Sequence, residues 1–273
     1  MPELARRPGP TVRTRVTEIV GDEERRHEDR LVTEEPLEIR LAWPGTPAHR
    51  VWVTMRTPGH DFELAAGWLA HEGVSRQIAG VAYCTDADLR PEQEFNVVTT
   101  TLATAPAGPL AHQHPALSSG SSACGVCGRD TVDSAVSVSA RPWPGERPGP
   151  DVVRRLPDLL RERQALFSRT GGVHAAGLFT ADGAPLVVRE DVGRHNAVDK
   201  VTGARILAGE SPAAAVLVVS GRAGFELAQK ALAAGVGTLV AVGAPTSLAV
   251  DLARRGGLEL YGFTGTERTV RYT

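Results

Sequence analysis

The chain has 273 residues, a net charge of −2, and 42% hydrophobic against 23% charged residues. It is long enough to bury a core without staples, and its composition is that of an ordinary globular protein. The near-neutral charge offers no bulk attraction to nucleic acid or an anionic membrane, and three cysteines, an odd number with two close together, exclude a framework of paired disulfides.

The first residues, "MPELARRPGP", contain no apolar targeting segment, and no apolar run approaches the length of a membrane span. The chain therefore reads as cytosolic, with residues 1–12 disordered. "PLEIRLAW" alternates Leu37, Ile39 and Leu41 with Glu38 and Arg40, and "VWVTMRT" repeats the pattern, so the two read as strands joined through "PGTP". "TPGHDFELAAGWLAHEGV" reads as a helix, with His60 or Asp61 near its start and Gly73 near its stop. "GVAYC" and "FNVVTTTL" read as further strands. Residues 105–130 are rich in proline, histidine, serine and glycine and read as a long, mobile loop, a kind of segment that is usually functional or disordered.

"RPWPGERPGP" breaks the chain again at 141–150. The expected division is thus a β-rich part over 13–140, ending in the loop, and an α/β core over 151–273. In the core the spacing of Leu156, Leu159, Leu160, Leu166 and Phe167 predicts a helix over 157–167. Then follow strands at "VHAAGLFT" and "PLVVRE" joined by an "ADG" turn, and a helix from Val192 to Leu207. Strand "AAAVLVVS", a helix from Phe225 to Ala234, strand "GTLVAVG", a helix from Ser247 to Arg255 and strand "LELYGF" complete it. These apolar strands scarcely alternate, which predicts a largely parallel sheet covered on both faces.

Ligands of open α/β sheets bind beyond the carboxyl ends of strands, at helix N-termini. Two strand-to-helix junctions fit: Ser220, Gly221 and Arg222 in "VVSGRAGFE", and Ala244, Pro245 and Thr246 in "VGAPTSLA". Backbone N–H groups, hydroxyls and an arginine there suit a phosphate-bearing ligand, although neither junction is a Walker loop or a dinucleotide fingerprint. The densest polar run is "REDVGRHNAVDK", where Asp191, His195 and Asp199 recur every fourth residue on one helix face, either a solvated face or part of a site. Only Lys200 and Lys230 are lysines among 30 basic residues, which marks both as candidates for a ligand site needing a compact ammonium.

"SSGSSACGVCGRD" holds Cys124 and Cys127. A structural zinc knuckle needs four ligands, and Cys84 stands alone at an apolar strand. A thioredoxin-like pair should open a helix after a strand. A thiol carrier, taking a sulfane sulfur on one cysteine and passing it on, suits a flexible tether best. His174, followed by Ala175 and Ala176, lacks the nearby glutamate that a zinc deaminase uses as its proton carrier, though a zinc site of two cysteines and this histidine stays geometrically open.

"CGVCG", "TGGVHAAGLF", "EDVGRHNAVDKVTG", "SGRAGFELAQKA", "APTSLAVDLA" and "GFTGTER", with "TPGHDFELAAGWLAHEGV" upstream, resemble the FdhD family of formate dehydrogenase accessory sulfurtransferases from about residue 30 to the end. The resemblance implies a three-layer α/β core similar to cytidine deaminases with a smaller β-rich N-terminal part. It implies that a cysteine desulfurase supplies sulfur, and that the molybdenum cofactor, bis(molybdopterin guanine dinucleotide), receives it before entering formate dehydrogenase. Cys124 corresponds to the persulfide cysteine and Cys127 to its neighbour. Phe263, Thr264, Gly265, Thr266, Glu267 and Arg268 correspond to the cofactor-binding segment, with the two junctions and His195 beside it. Ala223 and Gly224 depart from the family, where a hydroxyl residue is common. No permanently bound metal is expected, homodimerisation stays open, and a cofactor-holding chaperone without sulfur transfer is the alternative.

Overall fold

The computed structural model describes residues 7–85, 93–106 and 143–273. Strands β1 (Thr11–Val20) and β2 (Glu23–Val32) form a separate antiparallel ribbon in register from Thr11↔Val32 to Val20↔Glu23, turning at Gly21 with φ 63°. Its charged sequence hides the strand period, and no element was expected there. Thr11 and Val12 belong to this ribbon and not to a disordered terminus, because their partners Val32 and Leu31 run on beside them.

β3 (Glu35–Trp43) and β4 (Thr46–Arg56) form the expected hairpin, with Gly45 at φ 83° in its turn. Helix α1 (Asp61–His71) and strands β5 (Ile78–Tyr83) and β6 (Val97–Leu102) follow, giving a sheet in the order β4-β3-β6-β5. The inward side chains of β3, Leu37, Ile39 and Leu41, meet Leu64, Trp68 and Leu69 of α1 and Val98 and Leu102 of β6. Cys84, just after β5, is buried as expected.

The second part is a six-stranded sheet in the order β12-β11-β10-β9-β7-β8, from β7 (His174–Phe179), β8 (Pro185–Asp191), β9 (Val216–Val219), β10 (Thr238–Ala241), β11 (Glu259–Gly262) and β12 (Val270–Arg271). β9, β10 and β11 are parallel, but β7 runs antiparallel to both β8 and β9, and β12 antiparallel to β11. The sheet is therefore mixed, a correction to the largely parallel expectation. The short turn at Gly183 (φ 90°) closes β7 and β8 into a hairpin, which only antiparallel strands can make.

Helices α2 (Pro150–Arg161) and α3 (Phe167–Thr170) follow the 141–150 break, and α2 covers one sheet face through Val153, Leu156 and Leu160. On the other face lie α4 (Arg194–Leu207), α5 (Phe225–Ala234) and α6 (Ser247–Gly256), closing a three-layer α/β core. Helix α2 begins and ends earlier than the predicted 157–167. Pro150 occupies its first turn, where a missing N–H costs nothing, whereas Pro157 lies inside it. Its buried positions 153, 156 and 160 complete one face.

The two parts meet where α1 crosses α4. A Cβ on Gly67 would sit 1.8 Å from the Asp199 carbonyl oxygen, and one on Gly203 1.8 Å from that of Glu63, so the backbones touch directly. Polar groups tie the same seam. Arg189 holds Glu63 by two bonds of 2.6 and 2.8 Å, and the Lys200 ammonium donates to the Thr57 carbonyl at 2.9 Å.

Candidate functional site

Sheet direction decides what gathers at one edge. β8, β9, β10 and β11 all end there, while β7 and β12, running oppositely, begin there. Hence His174, the first residue of β7, joins the loops after β9, β10 and β11, together with the N-termini of α4, α5 and α6. Three helix N-termini bring partial positive charge and spare N–H groups to one edge, a setting that favours an anion.

Backbone hydrogen bonds lace the three loops side by side. Gly243 N–H donates to the Gly221 carbonyl at 2.9 Å, Phe263 N–H to that of Gly243 at 3.1 Å, and Thr246 N–H to that of Ala223 at 3.0 Å. Ser220 is bound to β7: its hydroxyl accepts from Ala175 N–H at 2.9 Å. Arg222 is exposed beside Gly243. Ala244 accepts from Ala223 N–H, Pro245 packs over Gly262, and the Thr246 hydroxyl caps α6 by accepting from Ala249 N–H at 3.3 Å. The structure thus brings both predicted junctions together.

The predicted C-terminal segment forms the adjoining loop. Phe263 is 44% exposed and holds φ 50°, a left-handed conformation that a side chain rarely adopts and that is retained only when neighbours enforce it. Arg268 lies over its ring at 5.2 Å. Thr264 is buried and shares a hydrogen bond with Thr269 at 3.1 Å, and Gly265 N–H donates to the Arg268 carbonyl at 2.8 Å. With Val242, residues Phe263 to Arg268, including Thr266 and Glu267, line an open hollow of about 420 Å³.

Exposed Val242 also borders a second, more enclosed cleft of about 610 Å³, so the two lie side by side. The cleft is walled by α2 and α3 through Leu160, Arg161 and Phe167, and by His174 and Ser220 opposite. Arg161 stacks over the Phe167 ring at 4.2 Å. Reading the sequence missed this wall and the part His174 plays in it. The hint was the "TGGV" before His174, whose Gly171 turns the chain at φ 64° and whose Gly172 lies close against Val32.

His195, in the first turn of α4, has its Nε2 2.6 Å from a Glu226 carboxylate oxygen. Burial would raise the Glu226 carboxyl, but the His195 hydrogen bond and the charges of His195, Lys230 and Arg194 hold it below its ordinary value. Its other oxygen is buried and has no hydrogen-bond partner among the described residues. Burial, with the charges of Arg194 and His195, pushes His174 below its ordinary value, so its ring is neutral at neutral pH. The polar run around His195 is no solvated face: Asp191, Asn196, Asp199 and Lys200 are buried in the seam with α1. Cys124 and Cys127 lie outside the described residues.

The fold and site define an α/β protein with a hollow and a cleft at the carboxyl edge of its sheet, where three helix N-termini converge. The chain belongs to the FdhD/NarQ family, whose model matches residues 32–273. A relative from Nocardia farcinica, named sulfur carrier protein FdhD, is 46% identical over 259 residues, covering 93% of this chain and 89% of the relative. One of the same name from Mycobacterium tuberculosis is 45% identical over 273 residues, covering 96% of each. A crystal structure from Desulfotalea psychrophila, described as a candidate formate dehydrogenase accessory protein, shares the fold with a TM-score of 0.73 at 20% identity, covering 97% of each chain.

Proposed function

We propose that this protein is a cytoplasmic sulfur carrier that serves formate dehydrogenase. It takes persulfide sulfur from a cysteine desulfurase and delivers it to bis(molybdopterin guanine dinucleotide), which it binds as substrate. Relatives named sulfur carrier proteins at 45–46% identity support the carrier role. The single structural observation that carries the acceptor side is the laced edge, where three helix N-termini meet the neighbouring hollow and cleft.

In the loading step the Cys124 thiolate attacks the outer sulfur of the desulfurase persulfide. A Cys124–S–SH persulfide forms, and the desulfurase leaves as its thiolate. In delivery, the Cys127 thiolate attacks the inner sulfur of Cys124. A Cys124–Cys127 disulfide forms and the outer sulfur departs as hydrosulfide to the acceptor, after which a cellular thiol reduces the disulfide. The cofactor's phosphates and guanine lie along the Ser220–Arg222 and Ala244–Thr246 junctions and the Phe263–Arg268 loop, where backbone N–H groups and Arg222 and Arg268 meet negative charge.

The test is a mass spectrum of the whole chain after incubation with a cysteine desulfurase and cysteine. One added sulfur on Cys124 is expected, and none on the Cys124→Ala variant, which folds normally yet fails to activate formate dehydrogenase. Full activation by Cys124→Ala would overturn the carrier role in favour of the cofactor-holding chaperone. Calorimetry with GDP tests the acceptor side independently: no heat at millimolar ligand would remove the nucleotide from the edge.

A further inference from the structure

The cleft differs in chemistry from the hollow beside it. The hollow carries Glu267, Arg268 and the hydroxyls of Thr264 and Thr266. The cleft is walled by Leu160, Val173 and Val192 among other apolar side chains, and its residues Asp158 and Arg161 are exposed and opposite in sign. Its interior is therefore apolar and without net charge.

Three polar side chains line that interior. Gln164 is only 5% exposed, yet its amide makes no hydrogen bond to a described residue. A buried amide left unpaired is costly, so one in a cleft wall marks a place that a ligand completes. His174, half-buried and neutral, likewise makes no hydrogen bond through its ring to a described residue. One nitrogen of a neutral imidazole donates and the other accepts. The Ser220 hydroxyl accepts from Ala175 N–H at 2.9 Å, which leaves its own hydrogen to donate.

The wall that carries Gln164 is held firmly. Both oxygens of the Glu190 carboxylate accept at the start of α3, from Leu166 N–H and Phe167 N–H at 2.8 Å each, and tie α3 to β8. Gln164 itself joins the two helices, donating its N–H to the Arg161 carbonyl at 3.1 Å and accepting from Ser168 N–H at 3.0 Å. The stack of Arg161 on Phe167 gives this wall a flat platform against which a planar ring can lie.

We propose that the cleft binds a pterin of the cofactor, with Gln164 reading its aminopyrimidinone edge and His174 and Ser220 lying opposite. This rests on the nucleotide end of the cofactor lying along the two junctions and the Phe263–Arg268 loop. A glutamine amide sets one donor beside one acceptor, the complement of the adjacent C=O and N–H of an aminopyrimidinone. A volume of about 610 Å³ suits a fused ring system, and an apolar cleft with a few convergent polar groups is how such rings are held. Charge then divides the cofactor: its phosphates stay at the helix N-termini and Arg268, and its uncharged ring enters the cleft, across the shared Val242. Guanine presents the same edge as a pterin, so the test has to separate the two.

The experiment is quenching of free pterin fluorescence by the whole chain, alone and with saturating GDP, beside calorimetry with GDP. Saturable quenching is expected, with a Kd that GDP leaves unchanged. Gln164→Leu and Gln164→Glu should each weaken pterin binding roughly tenfold, about the worth of a hydrogen bond, and leave GDP binding as it was. The glutamate keeps the size of the side chain and loses the donor. 3-Methylpterin, which lacks the ring N–H, should bind the wild type roughly tenfold more weakly than pterin, a comparison that needs no variant to fold. Absence of saturable quenching while GDP binds would overturn the pterin assignment and leave the nucleotide at the edge. Competition between GDP and pterin would put guanine in the cleft and overturn it too. Equal binding of pterin and 3-methylpterin, or unchanged affinity in both Gln164 variants, would remove Gln164 from the recognition. Pterin binding without GDP binding would instead remove the nucleotide from the junctions and leave the cleft its ring.

Discussion

Lys200 has 1% of its surface exposed, and its ammonium lies 2.6 Å from Asp191. Lys230 lies 2.7 Å from Asp199, which His71 also meets at 2.5 Å. Both lysines that survive among 28 arginines thus form ion pairs within the fold, Lys200 fully buried and Lys230 partly so. Lys200 is buried and reaches through the seam to the Thr57 carbonyl, so a larger guanidinium would have to displace its neighbours. Lys200→Met leaves Asp191 buried without its counter-ion, although Thr57, Gly193 and Asn196 still donate to it. A loss of about 3 kcal/mol in urea unfolding is expected, the lower end of what breaking a buried pair costs. Lys200→Arg should cost about 1–3 kcal/mol by overpacking. Unaltered stability in both variants would mean that the Lys200–Asp191 pair does not hold the seam.

The seam depends on α1 and α4 as whole elements. Nearly all of α1 from Leu64 to His71 is buried, because the four-stranded sheet covers one side of it and α4 the other. Glycine inside a helix normally costs about 1 kcal/mol relative to alanine. At positions 67 and 203 that cost is offset by backbone contact between the helices, which a Cβ would forbid at 1.8 Å. Gly203→Ala should therefore destabilise, by about 1–3 kcal/mol after the gain in helix propensity, and should lower the urea midpoint. A raised midpoint would show that α1 and α4 separate without cost.

Across the whole molecule the two parts are held by groups whose protonation differs between folded and unfolded chains. Burial would raise Glu63, but hydrogen bonds from Arg189 and His60 and their charges outweigh it and hold the carboxyl down to about 2 from 4.5. A depressed carboxyl contributes stability above its unfolded value, and that contribution is lost as pH falls from about 4.5 toward 2. Burial, opposed by the Asp199 hydrogen bond, also lowers His71 from 6.5. The unfolded chain therefore takes up a proton on His71 that the folded chain resists, and stability declines as pH falls below about 6.5. Urea midpoints against pH should show two declines, one starting near 6.5 and a second below 4.5. Glu63→Gln should make the second shallower, leaving the part that Glu226 and Asp199 contribute, and should leave the first unchanged. Loss of both in that variant would mean that the two groups titrate as one.

The elements with a clear period were legible in the residues alone. The helix over Phe225–Ala234 was placed to the residue, and the alternation in "PLEIRLAW" marked β3, because the side chains facing the core recur at the element's own period. The two junctions and the "FTGTER" loop were legible through their glycines, hydroxyls and charges, which have no reason to interrupt an apolar strand except to turn it or to bind. Direction was not legible. Only pairing decided that β7 runs against β9, and that reversal is what carries His174 to the same edge as Ser220. The ribbon was hidden for a different reason. With neither face covered by the core, β2 keeps a pattern of charge in place of a pattern of apolarity. The buried role of Asp199 and Lys230 was settled only by His71, 128 residues away from Asp199 in the chain, because a charge is stable without water only when the fold supplies its partner.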